Sequence, residues 1–450
     1  MFRTLFTRRG GVTLVTATLA VSGMSLALAG TAGAVDPHPN ASLIIGSGSQ
    51  TSYSTMTTLT NLFNGAPGCD LTGALADSPN LNCGTQPVGP PGTSGGEQGF
   101  AISAENPYND YSVQAPAIGS GLGKDQLVQS GLGTPTTRID YARSSSSPDT
   151  HTGTAQNYVQ YAVDGVSWTT FNKIGGVLTA HSAVKTISTV QLQAIYSDTL
   201  QCIIGGVTVH MDWRCLSTKV LSPQRITCYM AQYGSGTYAT WQGALGFAKK
   251  APPACANDPL NNVGGTTLAS HSNLFENQMA YISTQADAAN ALYFMSFGKY
   301  TATCKSAKCA GSGNDLTTYG AINGIKASQA TIQGPGGGVP GTFPVRRGLY
   351  NIYNNSSAVV PSSEATLNMV SEYGFLCKQS TSSDIDPQTN VSYRSEIEAA
   401  IKAQGFYPIN TSSGAFPEGT VPFPAVLSDA SYTAIDPTVP TNGYCLLSHG

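Results

Sequence analysis

Twice along this chain a short apolar strand runs into a glycine- and serine-rich turn and then straight into a helix. The first stretch is "ASLIIGSGSQTSYSTMTTLTNLFNG", with its turn at Gly46–Thr51 and a helix expected from about Ser54 to Phe63. The second is "RITCYMAQYGSGTYATWQGALGF", with its turn at Gly234–Thr237. Other segments continue the alternation. Arg138–Ala142 reads as a strand opening into a polar loop, "NYVQYAVDGVSW" alternates like a strand, and "NALYFMSFGKY" is an aromatic-rich strand. "STVQLQAIYSD" sets Val190, Leu192, Ile195 and Tyr196 at helical spacing, and "EATLNMVSEYGFLCK" and "RSEIEAAIKAQGFYP" read as amphipathic helices. Strands that alternate with helices bury their apolar faces in an α/β fold.

In open α/β sheets ligands sit beyond the carboxyl ends of strands, where strand-to-helix turns converge. A helix N-terminus presents backbone N–H groups that lack an intrahelical partner, together with a partial positive charge, and can hold an anion. Glycine lets a ligand approach the backbone, and Ser and Thr hydroxyls add donors. The competing reading of Ser235 is a helix N-cap, a place that favours Ser and Thr. Two more small polar turns, "PGTSGGEQGF" at Pro91–Phe100 and "ARSSSSP" at Ala142–Pro148, favour a pocket lined by amides and hydroxyls over a coincidence of caps.

The N-terminus indicates the compartment. Arg3, Arg8 and Arg9 precede the apolar run Val12–Leu28 and the small-residue site Ala32-Gly33-Ala34, the order of a secretory signal peptide. Cleavage after Ala34 leaves 416 of the 450 residues, enough for two domains rather than one core. The leader holds three Arg and no acid, so 22 basic and 25 acidic residues become 19 and 25, a mature charge of −6. That balance argues against nucleic-acid binding. No later segment has the roughly 18 uncharged apolar residues of a membrane span. Ten cysteines follow the leader: Cys69, Cys83, Cys202, Cys215, Cys228, Cys255, Cys304, Cys309, Cys377 and Cys445. In an exported chain an even number reads as disulfides, with pairing of sequence neighbours the simplest connectivity and others left open. Without Cys-x-x-Cys pairs or Cys/His clusters, neither a metal nor another cofactor is expected.

No catalytic constellation stands out. "GTSGG" is similar to the nucleophile motif of trypsin-like proteases, but only His38 precedes Ser94, and the triad in that order needs both a His and an Asp upstream. The six histidines are scattered, and no Walker-type loop occurs. The chain is expected not to be an enzyme.

The order of these motifs resembles the phosphate-binding proteins that serve ABC importers. "GSGSQT" (Gly46–Thr51) stands where that family has G-x-G-x-T-F, "GTSGG" (Gly92–Gly96) where it has G-S-S-G-G, "DYARSSSSP" (Asp140–Pro148) at its D-F-G-A-S-D-A-P, and "AQYGSGT" (Ala231–Thr237) at its R-x-D-G-S-G-T. Ile195-Tyr196 with Trp213, and "ALYFMSFGKY", match weaker elements, so the likeness runs from about residue 43 to 407. It implies the two-lobed periplasmic-binding-protein fold (type II), disulfide-stapled, with a ligand cleft between lobes. Residues 35–166 and 343–450 would form one lobe and 167–342 the other. It further implies a small anionic or polar ligand held by Gln50, Thr51, Thr93, Ser145, Ser235, Gly236 and Thr237, and an ABC permease as a partner. The chain departs from the family where it matters for charge. Ser145 stands at the position of the family's ligand-facing Asp, and Ala231 at that of its Arg. Arg143, two residues before Ser145, could supply a replacement cation. The alternative is a secreted surface or adhesion protein that keeps the fold without a transported solute.

Overall fold

The computed structural model describes residues 44–65, 85–87, 119–131, 139–146, 156–231, 234–247, 256–257, 276, 279–304, 318–333, 341–354, 364–371, 374–377, 386, 389–409 and 444–449. The leader, His38, the Pro91–Phe100 turn with Thr93, and Cys69, Cys83, Cys255 and Cys309 lie outside them. In chain order the main elements are β1 (Ile44–Gly48), α1 (Tyr53–Gly65), β2 (Thr85–Pro87), α2 (Ser120–Gly131), β3 (Tyr141–Ser144), β4 (Gln156–Thr170), α3 (Thr189–Tyr196), β5 (Thr227–Tyr229), α4 (Gly236–Ala244), β6 (Ala256–Asn257), α5 (Met279–Ile282), β7 (Ala291–Ser296), β8 (Arg346–Asn354), α6 (Glu364–Val370) and α7 (Tyr393–Ala403).

The α/β reading holds. Among the described residues one mixed sheet runs β6-β5-β7-β4-β8-β3-β1-β2. Each flank is parallel: β2, β1 and β3 on one side, β6, β5 and β7 on the other. The antiparallel pair β4/β8 joins the flanks. Both Gly/Ser turns therefore leave equivalent strands, β1 and β5, each the middle of a parallel trio.

β4 is a strand, as its alternation predicts, and all 15 of its residues are buried. Besides β7 and β8, the segments Thr318–Tyr319, Tyr407–Pro408 and Leu446–His449 all pair along it. Its polar side chains must then find partners in the interior. Asn157 donates to the Tyr353 hydroxyl at 2.7 Å, Ser167 to the Gly320 carbonyl at 2.6 Å, and Thr170 to the Ala291 carbonyl at 2.8 Å.

α2 is the element that periodicity missed. "SGLGKDQLVQSG" carries Gly121 and Gly123 in its first turn, each costing about 1 kcal/mol of helix propensity against Ala. Packing explains Gly123: a Cβ there would come within 2.4 Å of the Gly48 Cα, so only glycine lets α2 lie against the β1 turn. A Cβ on Gly121 would meet the Gly234 carbonyl oxygen at an ordinary 3.5 Å.

The apolar core among the described residues forms three clusters. One draws on residues from Val163 to Val345 plus Ile409, and a second on Met56–Ala162 and Leu349–Cys445. A small third, with Leu127, Ile139 and Tyr158, lies under α2 and β3. Disulfides join Cys202 to Cys215 and Cys377 to Cys445, and Cys228 and Cys304 are disulfide-bonded too. Among the described residues, no helix is long and apolar enough to cross a membrane.

Candidate oxyanion cradle

The turn after β5 meets the turn after β1 through α2. The Gly119 N–H donates to the Gly48 carbonyl at 3.2 Å, and the Gly121 N–H to the Gly234 carbonyl at 3.0 Å. Ser120, between them, accepts from the Ser145 N–H at 2.9 Å. Residues Thr51, Ser145, Ser235, Gly236 and Thr237 are thereby gathered, and the four with polar side chains are all buried.

The centre of this arrangement is a carboxylate that the sequence reading did not single out. Glu276, only 3% exposed, sits ahead of α5. Its Oε1 accepts from the Ser235 hydroxyl at 2.5 Å and from the Thr237 N–H at 3.0 Å. Its Oε2 accepts from the Thr51 hydroxyl. Ser235 is also the N-cap of α4, accepting from the Tyr238 N–H at 3.0 Å. The two readings of Ser235, cap and anion contact, are therefore compatible, because a hydroxyl both accepts and donates.

A buried ion pair stands behind the hydroxyls. Arg347 on β8 contacts Asp164 on β4 at 2.8 Å, with both side chains fully excluded from solvent. The same guanidinium donates to the Thr237 hydroxyl at 2.8 Å, to the Ser145 carbonyl at 3.2 Å and, at 3.5 Å, to Thr51. The hydroxyls of Thr237 and Thr51 are 3.3 Å apart. Thr51 has one proton and gives it to Glu276, so Thr237 is the donor to Thr51. The hydrogen bonds then run one way, from Arg347 through Thr237 and Thr51 to the carboxylate. In a dry interior such chains polarise each other. Lys299 lies near both carboxylates. Burial lowers its ammonium to about 8, and the charges of Glu276 and Asp164 work against that shift.

The remaining sequence candidates take other places. Ser145 joins a hydroxyl cluster, 2.9 Å from Ser49 and 3.3 Å from Ser120. Gln50 has a buried Oε1 with no hydrogen-bond partner among the described residues. Arg143, read as a cation at a strand end, is fully buried. It donates to the carbonyls of Gly46 at 2.6 Å and Ser49 at 3.4 Å, and lies over the Tyr53 ring. Desolvation lowers its pKa. It braces the first turn, and the guanidinium that reaches the Thr237 and Thr51 hydroxyls is that of Arg347. Gly236 admits close approach, but of the protein's own atoms: a Cβ there would meet Ser120 Oγ at 2.3 Å and Ser145 Oγ at 2.5 Å.

Arg347 and Asp164 each left a trace in the sequence. In a chain with only 10% charged residues, an Asp inside "YAVDGV" and an Arg opening "RGLYNIY" are charges set in apolar strands. Such charges are seldom buried unless paired. Glu276, in "NLFENQMAY", carries no comparable signal.

No family model and no curated protein matches the chain. Among solved structures, it is similar to an ABC-type phosphate transport receptor from Vibrio cholerae, with 14% identity, 70% of this chain and 88% of that one covered, and a TM-score of 0.37. It is also similar to a putative phosphate ABC transporter substrate-binding protein with bound phosphate from Clostridium perfringens, with 12% identity, 81% and 99% covered, and a TM-score of 0.42.

Proposed function

We propose that this chain is a secreted solute-binding protein, not an enzyme, that takes a small phosphate-like oxyanion or polar ligand in the cradle of Thr51, Ser235 and Thr237 between two lobes. One observation carries the reading: the cradle already holds two anionic oxygens, on two hydroxyls and a helix-terminal amide. These are the donors an oxyanion needs, and Arg347 stands one hydroxyl away to favour negative charge. The "GSGSQT" and "GSGT" turns supply those donors in the order of the phosphate-binding family, which extends the proposal to an ABC permease as partner and to export by the leader. Titration calorimetry with phosphate, sulfate, formate and neutral sugars tests it. Heat with the oxyanions and none with the sugars is expected. Binding of a sugar alone would refute the oxyanion reading and leave a neutral polar ligand.

The second reading, a secreted surface protein without a solute, is favoured by the same carboxylate, since a cradle filled from within needs no ligand. A native mass spectrum of the purified protein separates the two. A copurifying small anion supports the first, and a bare polypeptide mass the second.

A further inference from the structure

A buried glutamate with a purely structural role is expected to face a cation, because an unpaired charge in the interior is costly. Lys299 lies near Glu276 as well as Asp164, yet the groups that hold the Glu276 carboxylate are not cations. Among the described residues its hydrogen-bond partners are all neutral: the Thr51 hydroxyl, the Ser235 hydroxyl and the Thr237 amide. The strong cation beside it, Arg347, spends its ion pair on Asp164. Two hydroxyls and the second amide of a nine-residue helix are how a protein holds a bound anion. The donors that hold Glu276 are therefore those a bound ligand would use, with Lys299 and Arg347 as the nearby positive charges.

On the oxyanion reading above, we infer that Glu276 is a tethered competitor for the cradle, which an external ligand must displace, and that this exchange selects a ligand of single negative charge. The three donors that hold Glu276 are saturated, and they cannot serve a second anion while it stays. A carboxylate on the same chain competes at an effective concentration that free ligand must exceed. Observed affinity is then reduced by the fraction of molecules in which the cradle is vacant. The charge rule follows from the exchange. When Glu276 leaves and a monoanion enters, the buried charge is unchanged. A dianion adds one more negative charge than Arg347 and Lys299 balance beside Asp164. The cradle therefore suits carboxylates and singly charged phosphate better than sulfate.

The full-length protein, its Glu276→Ala variant and its Glu276→Gln variant separate the possibilities when titrated with sodium formate, inorganic phosphate and sodium sulfate, by calorimetry and by thermal midpoint. Glu276→Ala should bind formate and phosphate about tenfold or more tighter than the native chain. Formate should also raise its midpoint, because the anion refills the vacated place. Glu276→Gln keeps the side chain's volume and one acceptor oxygen but no charge, and should show a smaller gain. Sulfate should gain least in both. Oxyanion binding by the native chain at the affinity of both variants would overturn the inference and leave the oxyanion reading standing. No binding of any oxyanion to any of the three proteins would sink that reading itself, and the inference with it. If neither variant folds, Glu276 is a structural part of the core, and the inference is overturned.

Discussion

The turn after β1 and the turn after β5 are written in almost the same letters, "GSGSQT" and "GSGT", yet they offer different groups to the same carboxylate. The β5 turn gives Glu276 a hydroxyl from Ser235 and a backbone amide from Thr237. The β1 turn gives it the Thr51 hydroxyl. The difference lies in where each helix begins. α4 starts at Gly236, one residue after its capping serine, so Thr237 is in the first turn with its amide unspent. α1 starts at Tyr53, two residues beyond Thr51, so Thr51 is still outside the helix. Composition made both turns candidates for an anion site, and the helix start decided which one contributes backbone. The turns also differ in their support. The first is held by the buried Arg143 on its carbonyls, and both are tied together by α2 and Arg347.

Removing the shared support should have the largest effect. Arg347→Ala leaves Asp164 buried without its partner, and breaking such a pair costs about 3–5 kcal/mol. Because Arg347 touches Thr51, Thr237 and Ser145, hydrogen exchange should accelerate on both sides of the cradle together. Acceleration on one side only would show that the turns are independent. The double variant Arg347→Met/Asp164→Leu removes both charges and should recover much of the loss in urea denaturation.

Acid should separate the two regions. His181 packs on Trp213, at a 4.1 Å ring separation, in the core cluster that also contains Tyr238 and Trp241 of α4. Burial pushes its imidazole down from 6.5 to about 4. The folded state keeps the ring neutral where the unfolded chain would protonate it, so this contribution to stability is complete above about pH 6.5 and is lost as pH falls toward about 4. At 1.36 kcal/mol per pH unit the loss approaches roughly 3 kcal/mol. Urea midpoints measured at pH 7 and pH 4.5 should differ less in His181→Asn than in the native chain. The α4 side should also lose hydrogen-exchange protection before α1 does. Equal pH dependence in the native chain and the variant would remove His181 from the account.

Gly236→Val tests how tightly the two turns are fitted. The added side chain must displace Ser120 and Ser145, and overpacking of that kind costs about 1–3 kcal/mol. Oxyanion binding should fall with it, since the clash lies between the turns. A valine variant with an unchanged midpoint would mean that the turns can separate freely.

The smallest expected effects are on the hydroxyls. Ser235→Ala removes an N-cap and a donor to Glu276, at about 1 kcal/mol or a little more. Thr51→Ala removes a donor without a cap and should cost about 0.5–1.5 kcal/mol. Thermal midpoints compared for the two variants sharpen the contrast. A larger loss at Thr51 would put the greater share of the anion's support on the β1 turn.

Local chemistry alone determined part of this protein. Apolar periodicity marked α1, α3, α4 and α7, and the spacing of Gly, Ser and Thr marked both turns, because those signals act over a few residues. α2 escaped because Gly123 is required by contact with Gly48, which the local sequence does not contain. Alternation marked β4 as a strand but not its burial on both faces, because alternation reports side-chain polarity, not how many partners a strand acquires. The site divides the same way. Thr51, Ser235 and Thr237 were visible as donors. The atoms that give them meaning were not: Thr51 meets Glu276 across 225 residues, Arg347 meets Thr237 across 110, and Arg347 meets Asp164 across 183. The sequence by itself therefore determined which segments could offer amides and hydroxyls to an anion. Only the tertiary structure decided that the anion there is Glu276 and that Arg347 pairs with Asp164 behind it, because buried charges are paired by the packing of distant strands rather than by their neighbours in the chain.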